Sequence, residues 1–78
     1  MANIKCYQEF SEIVINDINK AGLQLRESVH AAKKYENDNV HVHQVVLLDN
    51  QINNGNGRKF LVIYNVESNQ DNPGKLLR

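Results

Sequence analysis

Residues 54–59 read Asn-Gly-Asn-Gly-Arg-Lys, the run in this chain best suited to bind something. Glycine and asparagine reach positive φ readily, so the backbone N–H groups of Asn54, Gly55, Asn56 and Gly57 can converge on an anion. Arg58 adds a planar fork that fits a phosphate, and Lys59 adds a point charge. The run lacks the spacing of a Walker loop and opens no helix, so P-loop and dinucleotide-binding logic do not apply. The same residues have a plainer use, because Asn-Gly is the strongest short-range signal for a hairpin turn.

Other chemistry is sparser. His41 and His43 stand two apart, which puts both imidazoles on one strand face at a spacing that two metal ligands can use. A third ligand would have to come from His30 or Asp49, and no metal or other cofactor is expected. Cys6 is the single cysteine, which excludes an intramolecular disulfide and a cysteine cage for zinc. A lone thiol suits a reducing compartment, and the expected location is cytoplasmic. Cys6 is expected to pack as a small buried hydrophobe. Ser11, Ser28 and Ser68 have no glycine-flanked context for a nucleophile, so no catalytic residue is assigned and the chain is read as non-enzymatic.

Charge narrows the partners. Nine Lys and Arg balance nine Asp and Glu. Phosphate contacts need an excess of cations, so this balance argues against nucleic acid as a general ligand, and it is far from the acidity of a DNA mimic. No apolar run approaches the roughly 18–20 residues that span a bilayer, and the first ten residues lack the apolar core of a secretory signal. Twelve asparagines and no tryptophan give a bias common in AT-rich genomes, those of phages and mobile elements included.

The elements that must position these residues follow from periodicity. Residues 2–8 alternate briefly and read as a first strand. Phe10, Val14, Ile18, Ala21, Leu25, Val29 and Ala32 recur at gaps of three and four, which predicts a helix over 10–35 capped by Ser11. The β-branched run Ile13–Ile15 and Gly22 disturb that pattern, and Gly22 could break the helix. Residues 40–50 and 58–68 read as two strands joined by the Asn-Gly run. The expected fold is α+β in β-α-β-β order, a helix on an antiparallel-dominated sheet with a C-terminal hairpin. A single domain is expected over 1–67 and a mobile polar tail or arm over 68–78.

Simple alternation places Val40, Val42, Val46 and Leu48 on one side of the first hairpin strand, with Phe60, Val62, Tyr64 and Val66 on one side of the second. The other side would then carry Val45, Leu47, Leu61 and Ile63 near the turn. One helix cannot cover two apolar faces, so these four are expected to form the interface of a homo-oligomer. The function expected is that of an inhibitor or adaptor of the phage or mobile-element kind, touching a partner protein through residues 54–59. The alternative is a sequestering protein whose oligomer interface forms a pocket, gripping the phosphates of a nucleotide with Gly55, Gly57, Arg58 and Lys59 while Tyr35 or Tyr64 stacks on the base.

Overall fold

Strands make up most of the regular structure of this chain, and its valines and isoleucines are concentrated in them. The computed structural model describes residues 3–52 and 54–77. Its elements are β1 (Ile4–Ile15), a 3-10 turn (Ile18–Lys20), α1 (Ala21–Ala32), β2 (Asn39–Ile52) and β3 (Gly57–Asn69). The strands form one antiparallel sheet in the order β1-β3-β2, with one helix on one face. The α+β class and the β-α-β-β order are as the sequence led us to expect.

The helix is much shorter than its spacing implied. Residues 10–15 belong to β1, which pairs with β3 without interruption from Ile4 opposite Asn69 to Ile15 opposite Arg58. Ile13, Val14 and Ile15 favour the pleated backbone over the helix. The gap of four between Phe10 and Val14 keeps them on one face of a strand as well as of a helix, which made the two readings alike. Ser11 therefore caps nothing. Asp17 does, its carboxylate accepting from the N–H of Asn19 at 3.0 Å to open the 3-10 turn. Gly22 lies on the outer side of α1 with open space around it and does not break the helix.

Leu25, Val29 and Ala32 lie on one stripe of α1 and pack on Val62, Tyr64 and Val66 of the central strand. Twelve helical residues span about 18 Å, while thirteen strand residues span about 43 Å. The helix thus covers less than half of its face. Among the described residues only Ile15, Val62, Tyr64 and Val66 are fully buried hydrophobics. The molecule measures 51 × 18 × 18 Å with a radius of gyration of 14.6 Å. A compact domain of this length would have a radius of about 11.5 Å.

β3 runs to Asn69, past the expected domain boundary at 67. The residues after it are docked on the chain rather than projecting as an arm. The N–H of Gln70 donates to the Asn3 carbonyl at 2.8 Å, and those of Glu36 and Asn37 donate to the carbonyls of Lys75 and Pro73 at 2.8 and 3.0 Å. The Leu77 N–H reaches the Lys34 carbonyl at 2.8 Å. Gly74 makes this path possible: its φ is +79°, and a Cβ there would lie 3.0 Å from both Glu36 Cβ and Asn37 Nδ2. Gly74→Ala is therefore expected to destabilise the protein by about 1 kcal/mol or more. Thermal denaturation checks this, and an unchanged midpoint would show that the docking tolerates a side chain.

The connection between α1 and β2 turns on a buried carboxylate. Asp38 Oδ2 accepts from the N–H groups of Lys34 and Tyr35 at 3.1 and 3.0 Å. Burial pushes its pKa up, but these two N–H groups, the Ser68 hydroxyl and the charge of Lys33 outweigh that and hold it below the ordinary value of 3.8. A depressed pKa means that the stabilisation is complete above the unfolded value and is lost as pH falls through the folded one. Asp38→Ala strands two N–H groups and is expected to cost about 1–3 kcal/mol at neutral pH. The deficit relative to wild type should shrink in denaturation below about pH 4. A deficit independent of pH would mean that the charge contributes nothing.

Candidate interaction surface

β2 and β3 are joined through a tight turn, with Ile52 opposite Gly57. Asn54 and Gly55 both take positive φ, 60° and 85°, as the sequence run requires. The N–H of Gly55 is occupied by the Ile52 carbonyl at 3.0 Å, so it does not join an anion-binding nest. Asn53 lies outside the described residues. Arg58 and Lys59 are consecutive strand residues and point to opposite faces of the sheet. Arg58 stands opposite Ile15, on the helix side. Lys59 lies on the other side and pairs with Glu12, Nζ to Oε2 at 3.2 Å. A surface cavity of about 520 Å³ beside the turn is lined by Asn50, Gln51, Asn54 and Gly55, with neither cation among them.

Within one chain the nucleotide grip drawn from the sequence therefore does not assemble. Its two cations diverge, and its stacking residues are elsewhere. Tyr64 is fully buried in the core. Tyr35 bridges to Leu76 at the far end of the sheet, about 40 Å of strand from the turn. Asn54–Lys59 remain an exposed, polar hairpin tip except for Gly57, which is buried, and Lys59, which is half-buried.

The sheet faces differ from simple alternation for one reason. Val42 stands opposite Tyr64, but Gln44 stands opposite the next β3 residue, Ile63. His43 is thus an extra residue, a β-bulge, and the β2 side chains from Gln44 to Leu47 change face, until a second register shift returns Asp49 to the open side opposite Lys59. Val45 comes opposite Val62 and Leu47 opposite Phe60, both on the side that carries α1. Leu61 and Ile63 lie on the open side, where their cross-strand neighbours are Val46 and Phe10. The expected patch of Val45, Leu47, Leu61 and Ile63 is thereby divided between two faces. The open face gains Phe10, 59% exposed, which the periodicity placed in the helix, and Val46, which simple alternation placed on the opposite side of β2. Near the turn, Leu47 is 50% exposed because α1 ends short of it.

His41 and His43 share the open face with Asn65, whose amide nitrogen lies 3.3 Å from His43 Nδ1. His30 is on the helix, across the sheet from them. No group of three or more His, Cys, Asp or Glu side chains is placed to hold a metal among the described residues. Cys6, expected in the core, is exposed, because an edge strand facing open ground gives it no cover. The leucines of the C-terminal segment do not cover the open face either. Leu76 and Leu77 are each 51% exposed and dock near Tyr35 and Lys34. No described helix is long and apolar enough to cross a membrane. Compared with protein-family models, curated proteins and solved structures, the chain has no match among any of them.

Proposed function

We propose that this protein is a non-enzymatic, homo-oligomeric binding module that works by occupying a partner protein, as an inhibitor or adaptor does. The observation that carries the self-association is a surface too large for its core. The accessible area is 5542 Å², whereas a folded monomer of this mass exposes about 4,800 Å². The surplus of roughly 700 Å² approaches one partner's share, about 800 Å², of a standard interface. Phe10, Val46, Leu61 and Ile63 supply an apolar stripe on the open face that a second copy would cover. The hairpin tip, Asn54–Lys59, is assigned to the partner, with Lys59 bordering that stripe through its ion pair with Glu12.

One observation favours binding over catalysis: the hydroxyl–carboxylate contact between Ser68 and Asp38 is buried and braces the connection between α1 and β2 rather than facing a substrate. Native mass spectrometry of the purified chain tests the reading. A defined oligomer at low micromolar concentration is expected, followed by capture of a discrete protein that the Arg58→Ala variant retains less well. A monomer at about 100 µM would overturn the proposal.

A further inference from the structure

The two edges of the sheet are built differently. β2 departs from regular register at three places, between Val42 and Gln44, Leu47 and Asp49, and Asp49 and Ile52. Such irregularities keep other strands from adding to an edge. β1 has none over its twelve residues and no proline. It is a long regular template, which soluble proteins rarely leave open.

The hydrogen bonds fix which backbone groups β1 presents. The N–H of Gln70 donates to the Asn3 carbonyl, one step beyond the Ile4–Asn69 pair, so the polar groups of Asn3 turn toward β3. Alternation turns those of Lys5, Tyr7 and Glu9 the same way and those of Ile4, Cys6, Gln8 and Phe10 outward. Val14 obeys the same parity. Its carbonyl accepts from Gln24 Nε2 at 3.3 Å, a helix side chain on the outer side, which closes this end of the edge.

We infer that β1 of one chain pairs antiparallel with β1 of a second copy about a twofold axis through Tyr7. Outward groups must meet outward groups, which allows only axes that pass through a residue. An axis at Glu9 sets Glu9 against the partner's Glu9. An axis at Gln8 leaves Lys5 facing the partner's Ser11. The axis at Tyr7 sets Lys5 against the partner's Glu9 and Ile4 against the partner's Phe10, each twice, with the tyrosines facing each other. Neither Lys5 nor Glu9 has an ion-pair partner in its own chain among the described residues. The pairing makes about eight interchain hydrogen bonds and extends the sheet to six strands. The inference rests on self-association as proposed above, and it names an interface separate from the open face. Two such sheets packed by their open faces close a four-chain sandwich whose outer edges are the irregular β2 strands.

Tyr7 would form a non-hydrogen-bonded pair with its copy, Cα atoms about 4.5 Å apart, within the span of a disulfide. Tyr7→Cys in a Cys6→Ser background is therefore expected to give a covalent dimer on mild oxidation. Glu9→Cys in the same background is expected not to, since its sulfurs would lie about 13 Å apart along the strands. Gln8→Pro, which removes an outward N–H together with the exposed side-chain hydrogen bond to Asn65, should halve the stoichiometry seen in native mass spectrometry and raise the dissociation constant of that step by at least about 30-fold. An oligomeric wild type whose stoichiometry survives Gln8→Pro, with no cross-link at Tyr7→Cys, would overturn the edge pairing and leave the oligomeric reading standing. A monomeric wild type would overturn both.

Discussion

Tyr64→Ala is expected to leave the protein largely unfolded at 25 °C. Tyr64 is wholly buried between Val62 and Val66, and these three make up the core cluster on which Leu25, Val29 and Ala32 pack. Removing a large buried aromatic costs about 3–5 kcal/mol. A domain of this length has about 4–10 kcal/mol in all. In a larger core the neighbours could close over the cavity. Here a single short helix is the only layer over Tyr64 among the described residues, so few side chains can move in. Tyr64→Phe separates packing from polarity. The hydroxyl is buried without a hydrogen-bond partner among the described residues, and burying such a group is unfavourable. The phenylalanine variant is expected to be as stable as wild type or more so. Urea denaturation measures both. A Tyr64→Ala protein within about 1 kcal/mol of wild type would mean that the stability lies in subunit contacts rather than in this core.

The same thin core explains what could be read in the sequence and what could not. The β3 alternation of Val62, Tyr64 and Val66 was legible because β3 is central and regular, flanked on both sides with its face fixed by the helix. Leu25, Val29 and Ala32 were legible as the helix stripe for the same reason. The first half of the proposed helix was not, since Phe10, Val14 and Ile18 satisfy both periods and only the β-branched run at 13–15 pointed to the strand. The faces of Gln44 to Leu47 in β2 were misassigned. A bulge adds one residue to one strand, and nothing in His-Gln-Val-Val announces it except the polar Gln44 at a position alternation would bury. The shift in register at His43 is the physical reason that Gln44 escapes burial. Arg58 and Lys59 were adjacent in sequence and therefore opposed in space, a consequence of strand geometry that the turn composition masked.

The face assignment carries the second large effect. Ile63→Lys is expected to abolish association through the open face while leaving the single chain folded. Ile63 lies opposite Phe10 on one side and Gln44 on the other, on the face away from α1. Its side chain contributes nothing to the Val62–Tyr64–Val66 cluster, so a lysine there can extend into water in the separated subunit. In an assembled pair the same ammonium would be desolvated among Phe10, Leu61 and Val46 without a carboxylate directly opposite. Central interface positions of this kind account for 2 kcal/mol or more, a loss of about 30-fold or greater in affinity. Leu47→Lys is the matched comparison. Both residues belong to the patch that simple alternation would draw, but the bulge at His43 puts Leu47 opposite Phe60 on the other face. Sedimentation of the two variants thus reads the register directly. Dissociation by Ile63→Lys with assembly retained in Leu47→Lys fits the open face as the interface. If Leu47→Lys dissociates the protein and Ile63→Lys does not, the copies meet on the helix side beyond α1. In that case the exposed residues near the turn, rather than the open face, account for the surplus surface.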